Sequence, residues 1–359
     1  QWWRIQNGDY GVVIGSRGAI FAPQLDLGLI VIDEEHEWTY KQQDGSPHYH
    51  AREVATKLAE LTNAVVILGS ATPDVVSQSR ALDGRYQLLE LPHRVGLRLD
   101  QDNSSHLPLP RVRIVDLRQE LKDGNRSIFS RALSQTMDYA LQAGEQVILY
   151  LNRRGSSSLV QCRDCGHTLR CRRCDLPLTY HAQSDRLLCH QCNYRLNSPR
   201  ACPQCRGSRI RYLGLGTQRV MEEVEQAFPG VKAIRWDRDT VSARGAHESI
   251  MESFERGDAQ VLVGTQMIAK GLHFPNVTVV GVLCADIGLF MPDFRAGERV
   301  FQLLCQVAGR TGRGPLGGQV IVQTYSPNHY AVAAASAQDY NEFYRKEMSY
   351  REEQELPPF

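Results

Sequence analysis

No run of apolar residues in this chain approaches the ~18 that cross a bilayer, which excludes an ordinary transmembrane helix. No basic stretch followed by an apolar core opens the sequence, which begins Gln1-Trp2-Trp3-Arg4, so no secretory signal is expected. An initiator Met is missing as well, and the chain reads as a fragment or a processed piece. Charge of one sign is also lacking. Lys and Arg number 41 against 40 Asp and Glu, a net of +1, which leaves any nucleic-acid contact to local patches. The pattern G-x-x-x-x-G-K-[ST] occurs nowhere, so no loop of that kind cradles the β- and γ-phosphates of a nucleotide.

What is present is the composition of a globular protein, with 42% hydrophobic and 23% charged residues. A length of 359 residues suggests two or three domains. Of ten cysteines, eight fall in four C-x-x-C pairs within residues 162–205, which is metal-ligand spacing rather than a disulfide framework. With no secretion signal, the cytoplasm, where thiols stay reduced, is the expected compartment.

Apolar runs and amphipathic stretches alternate along the rest. Val12–Ile14, Leu27–Ile32 and Ala64–Leu68 read as strands, with a helix over Arg52–Leu61, as in half of a doubly wound α/β domain. Residues 96–125 are looser and contain a half-buried strand over Arg111–Val115. A second α/β set follows, with helices at Arg131–Gln142, Thr217–Phe228 and His247–Arg256. Its strands are Gln146–Leu151, Val231–Trp236, Gln260–Gly264, Val277–Leu283 and Gly318–Thr324. From His329 onward the tail reads as polar and helical.

Four segments in these elements carry chemistry. The strand ending at Ile32 runs into Asp33-Glu34-Glu35-His36, and open α/β sheets bind ligands at the carboxyl ends of their strands. One carboxylate there can hold Mg²⁺ through water and the next can polarise an attacking water, although alone the segment could merely cap a strand. The next strand runs into Gly69-Ser70-Ala71-Thr72-Pro73, where Ser70 and Thr72 can relay hydrogen bonds from a nucleotide, or simply begin a helix. Gly264-Thr265-Gln266, followed by Lys270-Gly271, is a strand-to-helix turn able to touch nucleotide and nucleic-acid backbone. Gln306-x-x-Gly309-Arg310-x-Gly312-Arg313 sets two arginines three apart, planar cationic forks suited to phosphoryl oxygens.

In this order the four segments look like the motor motifs of superfamily 2 helicases. With Leu151-Asn152-Arg153-Arg154-Gly155, the cysteine block, Gly214-Leu215-Gly216-Thr217 and Asp237-Arg238-Asp239-Thr240, essentially the whole chain resembles the bacterial replication-restart helicases of the PriA family (primosomal protein N′). The resemblance implies two RecA-like doubly wound lobes with an inserted two-zinc ribbon. On that reading residues 1–95 are the second half of lobe 1, 96–125 a linker, and 126–160 with 209–330 lobe 2. Residues 161–208 are the zinc module, and 331–359 lead toward a further domain. It implies an ATP-dependent 3′→5′ DNA helicase of the replication-restart primosome, using ATP with Mg²⁺. Partners would be single-stranded and forked DNA, primosome loading proteins and single-stranded-DNA-binding protein. Asp33, Glu34, Gln306, Arg310 and Arg313 would be catalytic; Ser70, Thr72, Gly264, Thr265 and Gln266 would couple to the nucleotide. The family's phosphate-binding loop is missing here, so the chain alone is expected to hydrolyse ATP poorly or not at all. The alternative is a zinc-bearing adaptor that binds DNA or protein without turnover.

Eight thiolates close two tetrahedral zinc sites with no position left for water, as in structural sites. Cys171, Cys174, Cys189 and Cys192 form one comfortable set, and Cys162, Cys165, Cys202 and Cys205 a second closing around it. A sequential pairing is tighter but sterically open; the nested one is what the resemblance implies. Residues 161–208 hold eight Arg against three Asp, enough for several arginines to stabilise thiolates. Beyond the acidic segment, Trp38, Tyr40, Lys41, His48 and Tyr49 lie in a Gly-Ser-Pro loop that resembles the family's aromatic-rich loop, where rings stack on unpaired bases. Together with Lys270 these are the expected DNA-binding residues. Cys284 and Cys305 read as core thiols.

Overall fold

Short runs of β-branched and leucine residues become parallel strands in this protein, and the helices between them turn one apolar face inward. The structure is a computed structural model describing residues 1–43, 45–91, 109–151, 158–173, 176–181, 184–213, 216–237, 240, 245–265, 274–291, 293–311 and 318–359. It falls into two units, residues 1–89 with 357–359, and residues 90–356.

In the first unit, helix α1 (Trp2–Gln6) is followed by strand β1 (Leu29–Ile32), helix α2 (Ala51–Thr62), strand β2 (Val65–Leu68) and helix α3 (Val75–Leu82). β1 and β2 pair in parallel, Leu29 beside Val65 and Ile32 beside Leu68. α2 makes the crossover and ends at Asn63 in the left-handed region, φ 58°, as helices commonly do. α3 begins at Asp74, whose carboxylate accepts the amides of Val76 and Ser77. Ile30, Ile32 and Ala55 form the small core, while Leu29, Val31, Val65 and Ile67 lie exposed on the other sheet face. That apolar open face is the pattern of a parallel sheet built for cover on both sides. The strand expected at Val12–Ile14 does not form. Val12 and Ile14 are 76% and 94% exposed, and no described strand pairs with them.

The second unit contains β3 (Arg111–Asp116), α4 (Leu117–Lys122), α5 (Arg131–Gln142) and β4 (Gln146–Tyr150). An inserted meander follows: β5 (Ser158–Cys162), β6 (Thr179–His181), β7 (Arg186–Leu188), β8 (Arg195–Asn197) and β9 (Ile210–Leu213). The chain resumes with α6 (Thr217–Ala227), β10 (Ala233–Trp236), α7 (Ala246–Glu255), β11 (Val261–Gly264), β12 (Val277–Val282), α8 (Asp286–Leu289) and α9 (Ala296–Ala308). It ends with β13 (Gln319–Thr324), α10 (Tyr330–Ala337) and α11 (Tyr340–Glu353).

Six of these strands form one parallel sheet, ordered β10-β11-β4-β12-β13-β3. β4, β11 and β12 are buried along their whole length, which explains their continuous apolar sequence. α5, capped by Ser130, buries Ala132, Leu133, Met137 and Ala140 against this sheet. Arg111–Asp116, read above within a linking region, is the sheet's edge strand, with Arg111 beside Gln319 and Asp116 beside Thr324. The tail also differs from its polar reading. α10 buries Ala331, Val332, Ala334 and Ala335, and α11 buries Phe343 together with Glu347 and Arg351. The meander forms a separate antiparallel sheet, ordered β8-β7-β6-β5-β9.

Candidate functional sites

Parallel pairing of β1 and β2 sets their carboxyl-terminal turns side by side. The Glu35 amide donates to Gly69 O at 3.0 Å, and the Gly69 amide to Ile32 O at 2.9 Å. His36 Nδ1 and Ser70 Oγ are 2.6 Å apart, and the same hydroxyl accepts the Thr72 amide at 3.0 Å. Asp33 is exposed; its Oδ1 accepts the Glu34 amide at 2.9 Å. Glu34 holds a left-handed φ of 48°, a conformation that costs energy and often marks a functional turn. The structure thus brings Asp33, Glu34, Ser70 and Thr72 into one pair of linked turns.

Beneath them lies a buried cluster that the sequence reading missed. Glu35 is 2% exposed. Its Oε2 accepts Arg52 Nη1 at 2.5 Å and Ser77 Oγ at 2.9 Å, and its Oε1 accepts the Asp74 amide at 2.7 Å. Arg52 also reaches Asp74 at 3.4 Å. Burial works against the Arg52 charge, yet Asp74 and Glu35 outweigh it and hold the guanidinium pKa above its usual value. The available signal was an Arg flanked by Ala51 and Ala55 on the helix face that packs inward.

The aromatic loop is less open than its sequence suggested. Tyr40 packs against the Ile30–Ile32 core and donates its hydroxyl to Asp33 O at 2.7 Å. Burial, then Asp33, Glu37 and Glu34, raise its phenol pKa. Tyr49 sets its ring edge-on to Phe21 at 4.9 Å, and Trp38 is half-buried. Lys41 and His48 are exposed.

In the second unit Gly264 and Thr265 close β11 and are buried. Gln306, half-buried, sits near the end of α9, and Arg310 is buried just beyond it. Thr311, which the sequence reading passed over, is fully buried and donates its hydroxyl to Val277 O and Thr278 O at 3.2 and 3.1 Å, fixing this turn to the start of β12. Gln266, Lys270, Arg313 and Cys174 lie outside the described residues.

The cysteines gather in the nested arrangement. Sγ atoms of Cys162, Cys165, Cys202 and Cys205 all lie within 4.8 Å of one another, as do those of Cys171, Cys189 and Cys192. Cys162 and Cys205 are 3.6 Å apart, Cys165 and Cys202 3.7 Å, and Cys171 and Cys192 3.6 Å. A tetrahedron with Zn–S bonds of ~2.3 Å has edges of ~3.8 Å, so the donor set fits that ion, whereas disulfide sulfurs stand about 2.05 Å apart. The local fold repeats at each fully described pair. The carbonyls of Cys162, Cys189 and Cys202 accept the amides of Gly166, Asn193 and Arg206, four residues on, each in the left-handed region with φ of 78°, 57° and 60°. Burial pushes the Cys165 thiol up to about 12, so a thiolate there depends on a cation beside it.

The first cluster is fastened to the large sheet. Asp286, fully buried, accepts Thr324 Oγ1 and the Tyr325 amide, each at 2.8 Å, and Gln161 Nε2 at 3.3 Å. Arg163 Nε donates to the Tyr325 hydroxyl at 2.9 Å. A Cβ on Gly166 would stand 2.6 Å from Tyr325 O, so only glycine allows this approach.

A profile described as the PriA DNA helicase Cys-rich region (CRR) domain matches residues 171–196, and one described as the helicase conserved C-terminal domain matches residues 217–315. Replication restart protein PriA of Bacillus subtilis (strain 168) is 49% identical over 359 residues, 100% of this chain and 43% of that protein. Replication restart protein PriA of Synechocystis sp. is 45% identical over 366 residues, again 100% of this chain and 43% of that protein. Saccharomyces cerevisiae Dbp5 bound to RNA and ADP BeF3 shows a loose likeness, TM-score 0.42 at 12% identity, over 88% of this chain and 57% of that one. The chain spans about half the length of the curated relatives it matches. Over its whole length the chain belongs to the PriA family of replication restart proteins.

Proposed function

We propose that this chain carries motor elements of an ATP-driven DNA helicase that works in replication restart. The observation that carries the reading is the linked pair of turns, with His36 and Ser70 2.6 Å apart at the ends of adjacent parallel strands. Carboxylates so placed stand where open α/β sheets meet their ligands.

Asp33 would hold the nucleotide's Mg²⁺, and Glu34 orients and deprotonates the attacking water. The ion would supply neutralising charge to the phosphates of the nucleotide. Ser70, tied to His36 and Thr72, reports the state of the acidic turn to the start of α3. Arg310, Arg313 and Gln306 serve the transferred phosphoryl group, the arginines stabilising its charge, while Gly264, Thr265 and Gln266 couple nucleotide to DNA. Trp38, Tyr40, Tyr49, Lys41, His48 and Lys270 serve the DNA side; Lys41 and His48 are exposed and open to a phosphate. Two zinc ions would be held by Cys162, Cys165, Cys202 and Cys205 and by Cys171, Cys189 and Cys192 with Cys174 expected as the fourth ligand, and would supply structural support to the cysteine module. Translocation 3′→5′ on single-stranded and forked DNA, and work with primosome loading proteins and single-stranded-DNA-binding protein, follow from the resemblance.

The test uses the natural-length protein. Glu34→Gln should bind ATP with Mg²⁺ normally and lose at least 100-fold in DNA-stimulated hydrolysis. Hydrolysis at the wild-type rate would refute the assignment.

A further inference from the structure

Helix α9 is apolar on most of its buried surface, through Val300, Phe301, Leu304, Val307 and Ala308. One row departs from this. Glu298, Gln302 and Gln306 follow one another at four-residue spacing, so they stack along a single face. Glu298 and Gln302 are 2% and 6% exposed, and Gln302 Nε2 donates to Glu298 Oε1 at 3.4 Å. At the far end of the row stands Arg351 of α11, also fully buried. It donates to Glu298 Oε2 at 2.7 Å and to Glu347 Oε1 at 2.8 Å. Glu347 Oε2 in turn accepts the Tyr330 hydroxyl of α10 at 2.7 Å. Burial works against the Arg351 charge, and Glu298 and Glu347 outweigh it.

Stability alone does not explain this cluster, because apolar residues of similar volume commonly do as well as a buried ion network or better. What a charged cluster adds is a single admissible register. α11 cannot slide or turn on α9 without stranding a charge. The closeness is built in: a Cβ on Gly297 would stand 2.6 Å from the Tyr330 hydroxyl and 3.2 Å from Glu347 Oε2. Phe343 stacks on Phe301 at 4.1 Å, one helical turn from the ions. The row then runs toward Gln306, eight residues or ~12 Å along the axis, and to the arginine turn that follows.

We propose that Arg351, Glu298 and Gln302 are positioning residues that hold Gln306 and Arg310 in the orientation used during phosphoryl transfer, so that the terminal helix α11 sets the working geometry of the arginine turn. This rests on the reading of Arg310 given above.

The test compares DNA-stimulated ATP hydrolysis in the natural-length protein for Arg310→Ala, Arg351→Lys, Gln302→Met and the triple variant Glu298→Gln/Glu347→Gln/Arg351→Met. Circular dichroism and zinc content check the fold. Arg310→Ala should lose at least 100-fold in kcat. The triple variant, if folded, should lose at least tenfold in kcat with KM for ATP changed less than twofold. Gln302→Met should lose about fivefold, and Arg351→Lys should stay within threefold of wild type. Wild-type turnover in Arg310→Ala would overturn the underlying reading and this inference with it. A large loss in Arg310→Ala beside wild-type kcat in Gln302→Met and in a folded triple variant would overturn the positioning role alone. If the triple variant does not fold, Gln302→Met, which leaves no charge unpaired, decides.

Discussion

Glu35→Leu should be among the most destabilising single changes in the first unit. Glu35 accepts three hydrogen bonds in a nearly dry site, from Arg52, Ser77 and the Asp74 amide. Its removal leaves the Arg52 guanidinium buried beside Asp74 at 3.4 Å, a contact too long to replace the lost one. Breaking one side of such a pair costs about 3–5 kcal/mol, and Arg52→Met should cost a similar amount by stranding the carboxylate. The double variant removes both charges. It keeps the penalties at the Asp74 amide and Ser77 hydroxyl, together about 1–3 kcal/mol, and the loss of Arg52 beside the Asp74 carboxylate. The three variants therefore form a cycle with a coupling of several kcal/mol. Urea titration gives the free energies, and amide exchange in α2 and α3 assigns the loss to this unit. If the double variant lost the sum of the two singles to within about 0.5 kcal/mol, the pair would be uncoupled and the reasoning refuted.

The purified chain should hold two zinc ions, and Cys165→Ser and Cys189→Ser should each lose one by elemental analysis; loss of both from either change would mean that the clusters are not separate. Zinc affinity should weaken as pH falls, because binding displaces thiol protons, and a Cys165 thiol raised to about 12 when metal-free keeps that competition active across neutral pH. Asp286→Ala should expose the segment 158–213 to limited proteolysis at least tenfold faster while leaving two zinc ions bound, since it cuts the hydrogen bonds to Gln161, Thr324, Tyr325 and the Cys284 thiol, and Cys284 belongs to neither cysteine cluster. Unchanged cleavage would mean that the module is held elsewhere.

What was legible in the sequence was whatever depends on near neighbours. The buried strands β4, β11 and β12 announce themselves because both faces are covered, and α5 by its cap and its apolar spacing. The C-x-x-C pairs are legible because a metal site is local chemistry at each turn. Pairings that join distant segments were not. β3 reaches β13 across roughly two hundred residues, and nothing in Arg111–Asp116 names that partner. Glu347 and Arg351 look like the solvent face of a helix until Glu298 arrives from α9. Tyr40 looked like an exposed ring because its companions, Ile30 and Ile32, precede the loop.

The cysteine module enters through β5 and leaves through β9, and those two strands are hydrogen-bonded partners, Leu159 beside Leu213 and Cys162 beside Ile210. A segment whose doorway is also its exit can be lengthened, shortened or exchanged while the surrounding strands keep their order. Force on its outer hairpins reaches the host lobe through the base of the insert, where Asp286 holds Gln161 and Tyr325 meets Arg163 and Gly166.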